Sequence, residues 1–236
     1  RVDPRRRPGA PAQPVITLWD FTWFTRTGPG EPFEDLDAAC AQARKRGYDT
    51  IRICAMPFLL FRSGLDTSAL VLEPLGGEYG QRVRWYDVRH RTTIDAREHL
   101  LELFRAVDRH DMQVIVSSWE YQQTPSLAAD PAWFEALHAV DPDERAVVLA
   151  DAHADLLDLL DAEGLGHTVL LTELHNEVQL GYLLDGLDVD RGSVGAVAAL
   201  TPRLEAGIAR FRQRHPDRPV TVNYAGVPVA SVSAIP

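Results

Sequence analysis

The segment LLTELHNEVQL, residues 170–180, places polar side chains at the end of a stretch whose apolar pattern predicts a buried strand. Its polar members are Glu173, His175, Asn176, Glu177 and Gln179. Burying such groups without partners costs about 1 to 3 kcal/mol each, and more when they are charged. Because carboxyl groups can transfer protons and amides can bind hydroxyl groups, the segment is a candidate for a catalytic or binding site.

Further aromatic and polar residues occur where other predicted strands end. Aromatic rings stack on the C–H faces of sugars, and hydrolysis of a glycosidic bond requires a carboxylic acid to protonate the leaving oxygen. If the fold brings these strand ends together, they predict a carbohydrate site. In chain order the candidates are Trp19, Asp20, Trp23, Arg52, Trp119, Glu120, His175, Asn176, Glu177, Asn223 and Tyr224.

The elements that must position these residues alternate along the chain. Hydrophobic periodicity predicts strands at 15–21, 50–56, 113–119, 167–176 and 219–225. Helical spacing and start and stop signals predict helices at 32–47, 94–111, 130–140, 141–164 and 192–214. The predicted helices 130–140 and 141–164 each open with an aspartate followed by a proline, so Asp130 and Asp141 are the expected N-caps. This alternation indicates parallel strands joined by right-handed crossovers.

Two α/β architectures fit that order, a doubly wound sheet and a barrel. The first predicted turn carries neither of the glycine-rich phosphate-binding motifs. In the second strand Ile51 and Ile53 alternate with Arg52 and Cys54, which suits a barrel with an apolar outer face and a polar mouth. We therefore predict the (β/α)8 TIM-barrel type, with about five βα units present. The expected domains are a flexible N-terminal arm at 1–14 and a partial barrel catalytic domain at 15–236.

Composition excludes several classes of function. The formal charge of -10 argues against nucleic-acid and anionic-membrane partners. Lys45 is the only lysine, so Schiff-base chemistry is not expected. A zinc hydrolase would require several ligands, whereas His175 is the one histidine among the strand-end candidates, so no metal or cofactor is predicted. Cys40 and Cys54 are expected to be buried free thiols, which favours a cytoplasmic location, with secretion after signal removal as the alternative.

Three short motifs resemble the clan A glycoside hydrolases, the superfamily that includes cellulases and β-mannanases. They are TIRIC in strand two, VSSWE after strand three and TELHNEV after strand four, and the resemblance in strand order covers about residues 15–230. It implies that Glu177 is the general acid/base, that Asn176 holds the sugar 2-hydroxyl and that Arg52 orients the nucleophile. The Asn-Glu pair is more commonly followed by proline, whereas Val178 stands here.

The main difference from that superfamily is that this sequence is too short to form all eight strands of the barrel. Its nucleophile is a second glutamate at the end of the seventh strand, whereas the predicted strands stop at the fifth, and a closed barrel takes about 250 residues. The sequence is then a fragment of a longer enzyme, or another chain supplies the missing strands, or it is a degenerate relative. We expect the nucleophile on a strand beyond residue 236. Within the sequence Glu120 and Asp20 are the alternatives, since Glu173 and Glu177 lie about 13 Å apart at strand rise.

The expected function is that of a retaining glycoside hydrolase acting on β-linked glycosidic bonds, with an oligosaccharide or glycoside as substrate. The alternative is an inactive carbohydrate-binding or scaffolding relative, and a second chain or fragment completing the barrel is the expected protein partner.

The roles of several residues stay open at this point. Arg52 either orients the nucleophile or balances the charge of Glu173, Trp23 and Trp119 are either sugar platforms or core anchors, and the connection at 57–92 either shapes the cleft or is an insertion.

Overall fold

Five parallel strands form the main sheet, in the order predicted from the sequence. The computed structural model describes residues 13–72, 91–121 and 132–225. The strands of the main sheet, in spatial order, are β1 (Ile16–Asp20), β2 (Thr50–Cys54), β5 (Gln113–Ser117), β6 (Val169–Glu173) and β7 (Val220–Thr221). A separate antiparallel pair consists of β3 (Leu70–Leu72) and β4 (Thr92–Ile94).

Helices connect these strands. They are α1 (Thr22–Thr25), α2 (Leu36–Lys45), α3 (Pro57–Phe61), α4 (Ala96–Arg109), α5 (Ala132–Ala139), α6 (Arg145–Ala162) and α7 (Val194–Arg214), with 3₁₀ turns at Gly166–Thr168, Val178–Leu180 and Tyr182–Leu184. The residues predicted to face inward from α4 and α7 are buried in the core, apart from the half-buried Ile208, and include Leu100, Leu103, Phe104, Val107, Leu200, Leu204 and Phe211. Within the described residues, no helix combines the length and the apolar character that crossing a membrane requires.

Side-chain caps begin three of the helices. Asp35 accepts the Ala38 N–H at the start of α2, and Asp95 and Ser193 do the same for the first turns of α4 and α7. The start of α6 differs from the prediction. Asp141 accepts the N–H of Asp143 within the preceding turn instead of capping the helix, because α6 begins only at Arg145.

The two faces of the main sheet differ in polarity, as the alternation in the sequence predicts. Parallel register aligns Cys54 with Ser117 and Ser117 with Glu173, so these three side chains share the inner face. The opposite face packs into the apolar core and consists of Ile51, Ile53, Val114 and Val116, all fully buried. The inner face is the one on which predicted site residues occur.

The inner face is open at the edge formed by β1. Leu18 is aligned with Arg52 and therefore lies on the same face, and it is 49% exposed. Ile16, two residues earlier on that face, is also exposed. In this arrangement apolar side chains of the inner face meet solvent beside the polar cluster described below.

Several predicted bounds are corrected. The fourth predicted strand, 167–176, is a strand only over Val169–Glu173, because the 3₁₀ turn Gly166–Thr168 precedes it and the chain bends after Glu173. The connection at 57–92 contains α3, β3 and the start of β4, while its residues 73–90 lie outside the described part. Asp130 and positions 1–12 of the predicted arm also lie outside it, so the domain boundary stays a prediction.

Candidate functional site

A buried ion pair joins β2 to β6 across the intervening strand β5. Arg52 donates from Nε to Glu173 Oε2 at 3.3 Å, and its Nη2 donates to the other carboxylate oxygen. From β5, the Ser117 hydroxyl donates to Glu173 Oε1 at 2.6 Å. The side chains of Arg52 and Glu173 are only 16% and 7% exposed. Because solvent screens such a pair weakly, these contacts hold the guanidinium in one position.

The same guanidinium binds Asn176. Arg52 Nη2 donates to Asn176 Oδ1 at 2.7 Å, and the guanidinium carbon lies 4.6 Å from the centre of the Trp119 ring. A cation at that distance over an indole is attracted to the ring face. The fold therefore brings three of the predicted site residues together. Trp119 and Asn176 follow the carboxyl ends of β5 and β6, and Arg52 reaches them from the middle of β2. Of the two alternatives for Arg52, the role as counter-ion of Glu173 is present.

The backbone after β6 is held between its two neighbouring strands. The Asn176 N–H donates to the Ser118 carbonyl at 2.9 Å on one side. On the other side, Asn223 donates its N–H to the His175 carbonyl and accepts the Val178 N–H, each at 3.0 Å. These bonds continue the sheet pairing past the end of the strand, so the position of the Asn-Glu pair depends on both neighbours.

Three of the main strands lead into a non-glycine residue with left-handed backbone. Asp20 ends β1 with φ 50°, Met56 follows β2 with φ 51°, and Glu177 follows β6 with φ 49°. This conformation costs an L-residue roughly 1 to 2 kcal/mol, and such strain is concentrated at functional sites. Glu177 is half-buried. Its backbone is therefore set by the tertiary structure and not by its own preference.

Glu120 is fully buried beneath the start of α3. Its carboxylate accepts the backbone N–H groups of Phe58 at 3.0 Å and Leu59 at 2.7 Å, and the Ser118 hydroxyl at 3.0 Å. Burial raises the pKa of Glu120 to about 7. The expectation that this residue contacts substrate, or serves as an internal nucleophile, is corrected, because its oxygens bind the backbone that opens α3.

Two tryptophans predicted as site residues lie in the core. Trp23 is fully buried, stacks on His99 with a centroid separation of 5.5 Å and donates its indole N–H to the Cys54 carbonyl at 2.9 Å. Trp19 is buried against Phe33, edge to face at 4.9 Å. The sugar-platform prediction is corrected for Trp23, because protein groups cover its ring, whereas for Trp19 it stays a prediction. For Trp23, the core-anchor alternative applies.

His175 points into the layer between α6 and α7. It lies against Ala146 of α6 and Leu204 of α7, and neither of its ring nitrogens has a hydrogen-bond partner among the described residues. Burial lowers the pKa of His175 to about 3. The expectation that this residue assists the acid at the mouth is corrected, since its side chain is buried and lines a small cavity with residues of α6 and α7.

The remaining predicted residues lie close to the strand ends. Asp20 is half-buried and is aligned with Ile53 of β2. Asn223 flanks the Asn-Glu segment through its backbone, and Tyr224 packs partly against the core. Contact of these three side chains with a ligand stays a prediction.

Ser117 was missed as a site residue from the sequence, and the contact made by Gln179, a polar member of the segment 170–180, was not predicted. Ser117 contacts Glu173, and the alternation along β5 could have indicated that it shares the face of that carboxylate. Gln179 is fully buried and binds the backbone of Ala225. Its Oε1 accepts the Ala225 N–H at 3.3 Å, and its Nε2 donates to the Ala225 carbonyl. No local pattern signals the second contact, because its partners are 46 residues apart.

Comparison with known families locates the chain among carbohydrate-active proteins. The model of the cellulase-like family, described as sugar-binding cellulase-like, matches residues 16–180. The match begins at the first residue of β1 and ends three residues after Glu177, so it includes Arg52, Trp119 and Asn176. No curated protein matches the chain.

Two solved structures share the fold. A protein from Parabacteroides distasonis, provisionally named a glycoside hydrolase, has a TM-score of 0.73 at 22% identity, over 94% of this chain and 55% of that one. The β-glycosidase of Thermosphaera aggregans has a TM-score of 0.50 at 14% identity, over 91% and 55%. The chain thus spans about half the length of these structures. Their likeness confirms the predicted partial (β/α) barrel.

Proposed function

Because this chain belongs to the sugar-binding cellulase-like family, we propose that it supplies the acid/base half of a retaining glycoside hydrolase site for β-linked sugars. Glu177 is the general acid/base in this proposal. It protonates the leaving glycosidic oxygen in the first step and then removes a proton from the attacking water. Asn176 binds the sugar 2-hydroxyl, and Trp119 with Arg52 forms the floor beside it.

One observation carries this proposal. Arg52 reaches from β2 to Asn176 at 2.7 Å, and Asn176 directly precedes Glu177. The contact ties the residue pair that resembles the superfamily motif to a cation at the carboxyl ends of parallel strands, where active sites of this fold occur. Since the guanidinium binds Oδ1, the group of Asn176 that would donate to a sugar hydroxyl is Nδ2.

A retaining mechanism also requires a nucleophilic carboxylate about 5 to 5.5 Å from the acid/base. Two glutamates of the region have other partners, because Glu173 binds Arg52 and Ser117 while Glu120 binds the start of α3. With Asp20 as the remaining internal alternative, we propose that the nucleophile is a carboxylate outside the described residues. Arg52 would be able to orient that group from its present position.

The leaving-group dependence of Glu177→Gln, measured in the complete protein that carries the nucleophile, tests the assignment. For an aryl β-glycoside with a poor leaving group, we expect the rate to fall by about 10² to 10⁴-fold, because departure needs the proton. For a dinitrophenyl glycoside the loss in the first step should be much smaller, since that leaving group needs no proton. Glu205→Gln, at an exposed position of α7, is the control and should leave both rates unchanged. Equal rates in variant and parent, at equal melting temperature, would remove Glu177 from the mechanism.

A second candidate function is carbohydrate binding without turnover. The description of the matching family, sugar-binding, favours it, as do the structural contacts that occupy Glu173 and Glu120. Calorimetric binding of an oligosaccharide, combined with no release of dinitrophenol from an activated glycoside, would support this candidate over hydrolysis.

A further inference from the structure

Glu173 is a buried carboxylate whose known contacts are to protein groups. Its Oε2 accepts Arg52 Nε at 3.3 Å, while Oε1 accepts both the Ser117 hydroxyl at 2.6 Å and Arg52 Nη2. A carboxylate bound on both oxygens by a guanidinium is held in a planar, two-point arrangement. This geometry fixes the rotation of the guanidinium and not only its location.

The orientation matters because one nitrogen serves two acceptors. Arg52 Nη2 carries two hydrogens and contacts both Glu173 Oε1 and Asn176 Oδ1. In a planar guanidinium the directions of those two hydrogens are rigidly related. When the first hydrogen points to Glu173, the second is directed to Asn176. Trp119, below the plane, limits tilting of the same group.

We propose that Glu173 is a positioning residue that sets the orientation of the Asn176 amide through Arg52. This inference rests on the proposed function, in which Asn176 binds the sugar 2-hydroxyl. Removing the charge of Glu173 frees the guanidinium to rotate on its flexible stem. The Asn176 amide then loses a bond that favours one of its two orientations, and selectivity for the 2-hydroxyl falls.

A matched ion pair elsewhere in the chain supplies the control. Arg26 and Glu31 are joined at 2.9 Å, with side chains 20% and 3% exposed, close to the values for Arg52 and Glu173. Glu31 lines a surface pocket with Trp19 and Phe33, and among the described residues its carboxylate is bound by Arg26 and not by Arg52 or Asn176. Glu31→Gln therefore reports the general effect of neutralising a buried, paired glutamate.

The first measurement needs no ligand. In ¹⁵N-labelled full chain, the Arg52 Nε–H and Asn176 Nδ2 signals are assigned from their loss in Arg52→Lys and Asn176→Ala. We expect Glu173→Gln to shift both sets and Glu31→Gln to shift neither. Ser117→Ala, which removes one bond to Oε1, should give a smaller shift in the same direction and serves if Glu173→Gln does not fold. Unchanged Asn176 signals in both site variants would overturn the proposal.

The second measurement compares a β-glycoside with its 2-deoxy analogue. A purely structural loss lowers kcat/KM for both substrates by the same factor. The proposal instead expects the preference for the 2-hydroxy substrate to fall by about tenfold, the factor for one hydrogen bond, in Glu173→Gln and not in Glu31→Gln. An unchanged preference in Glu173→Gln, with altered Asn176 signals, would also overturn the positioning role.

The two proposals fail in different ways. If the complete enzyme, with the nucleophile present, hydrolyses neither substrate, the catalytic proposal fails, and the preference is read from the dissociation constants of the two glycosides. If the parent binds neither, the carbohydrate function fails as a whole, while the Asn176 signals still decide whether Glu173 orients that amide. Loss of preference in both Glu173→Gln and Glu31→Gln would assign the effect to general loosening and contradict a specific role.

Discussion

Glu120 Oε1 accepts the backbone N–H of Leu59 at 2.7 Å, so a residue beyond the end of β5 holds the first turn of α3. The neighbouring N–H of Phe58 donates to the other oxygen at 3.0 Å. The carboxylate thereby satisfies two amide groups at the start of a short helix that cannot bond within it. This contact connects the turns after β2 and β5, the two strands that also carry Arg52 and Ser117.

Neutralising Glu120 should change how stability depends on pH. Burial raises its pKa from an ordinary 4.5 to about 7, so the folded state holds the proton more tightly than the unfolded chain. The stability linked to this proton is complete below pH 4.5 and is lost as pH rises through 7, by about 3 kcal/mol in total. Relative to the parent, Glu120→Gln should therefore gain stability between pH 4.5 and 8. Urea unfolding at several pH values measures this gain, and a pH-independent difference would contradict it.

Replacing His175 should reduce sensitivity to acid. Burial lowers the pKa of His175 to about 3 from an ordinary 6.5, so the unfolded chain takes up the proton first as pH falls. The stability linked to neutral His175 is complete above pH 6.5 and is lost below it, roughly 2 kcal/mol by pH 5. We expect the difference between His175→Leu and the parent to shift by that amount in favour of the variant from pH 7.5 to pH 5. Parallel stability curves over this range would be inconsistent with a buried, unprotonated imidazole.

A double-mutant cycle should expose the coupling of Arg52 to Glu173. Arg52→Met leaves the Glu173 carboxylate buried without its counter-charge, for which we expect a loss of roughly 3 to 5 kcal/mol in the free energy of unfolding. Adding Glu173→Leu removes that charge and should recover most of the loss. Chemical denaturation of the two single variants and the double variant gives the coupling energy. Additive effects would mean that the pair is not coupled.

The close contact of α6 with α7 predicts a different outcome for two glycines of one helix. A Cβ on Gly207 would lie 2.8 Å from the Ala146 carbonyl oxygen, so Gly207→Ala should force the helices apart and cost about 1 to 3 kcal/mol. A Cβ on Gly195, near the start of α7, would come no closer than 3.6 Å to the Ser193 hydroxyl. Gly195→Ala should therefore be neutral or stabilise by up to about 1 kcal/mol. Similar thermal shifts for both variants would contradict this account of the packing.

The order of the elements could be predicted because it depends on local periodicity. Apolar residues at every second position, such as Ile51 and Ile53, identify a strand with one buried face, and the same alternation places Arg52 on the opposite face. Strands separated by helices then have to be parallel. Asn176 and Arg52 could be proposed as site residues on these grounds together with the motif resemblance.

The direction of side chains beyond a strand end could not be predicted in the same way. Alternation stops where the extended backbone stops, which in β6 is at Glu173. His175 was consequently expected at the mouth although its ring lies between two helices, and Glu120 was expected to face a ligand although it binds α3. These directions depend on turns such as the left-handed one at Glu177, which neighbouring strands impose.

The amino-acid sequence by itself determined the alternation of strands and helices, the polarity of each sheet face and the residue types available for chemistry, because these properties depend on neighbours a few positions apart. Only the tertiary structure decided that Arg52 would form hydrogen bonds to both Glu173 and Asn176. These contacts span 121 and 124 positions. They form because the parallel register places Glu173 on the same face as Arg52 and two residues further along, within reach of the long arginine side chain.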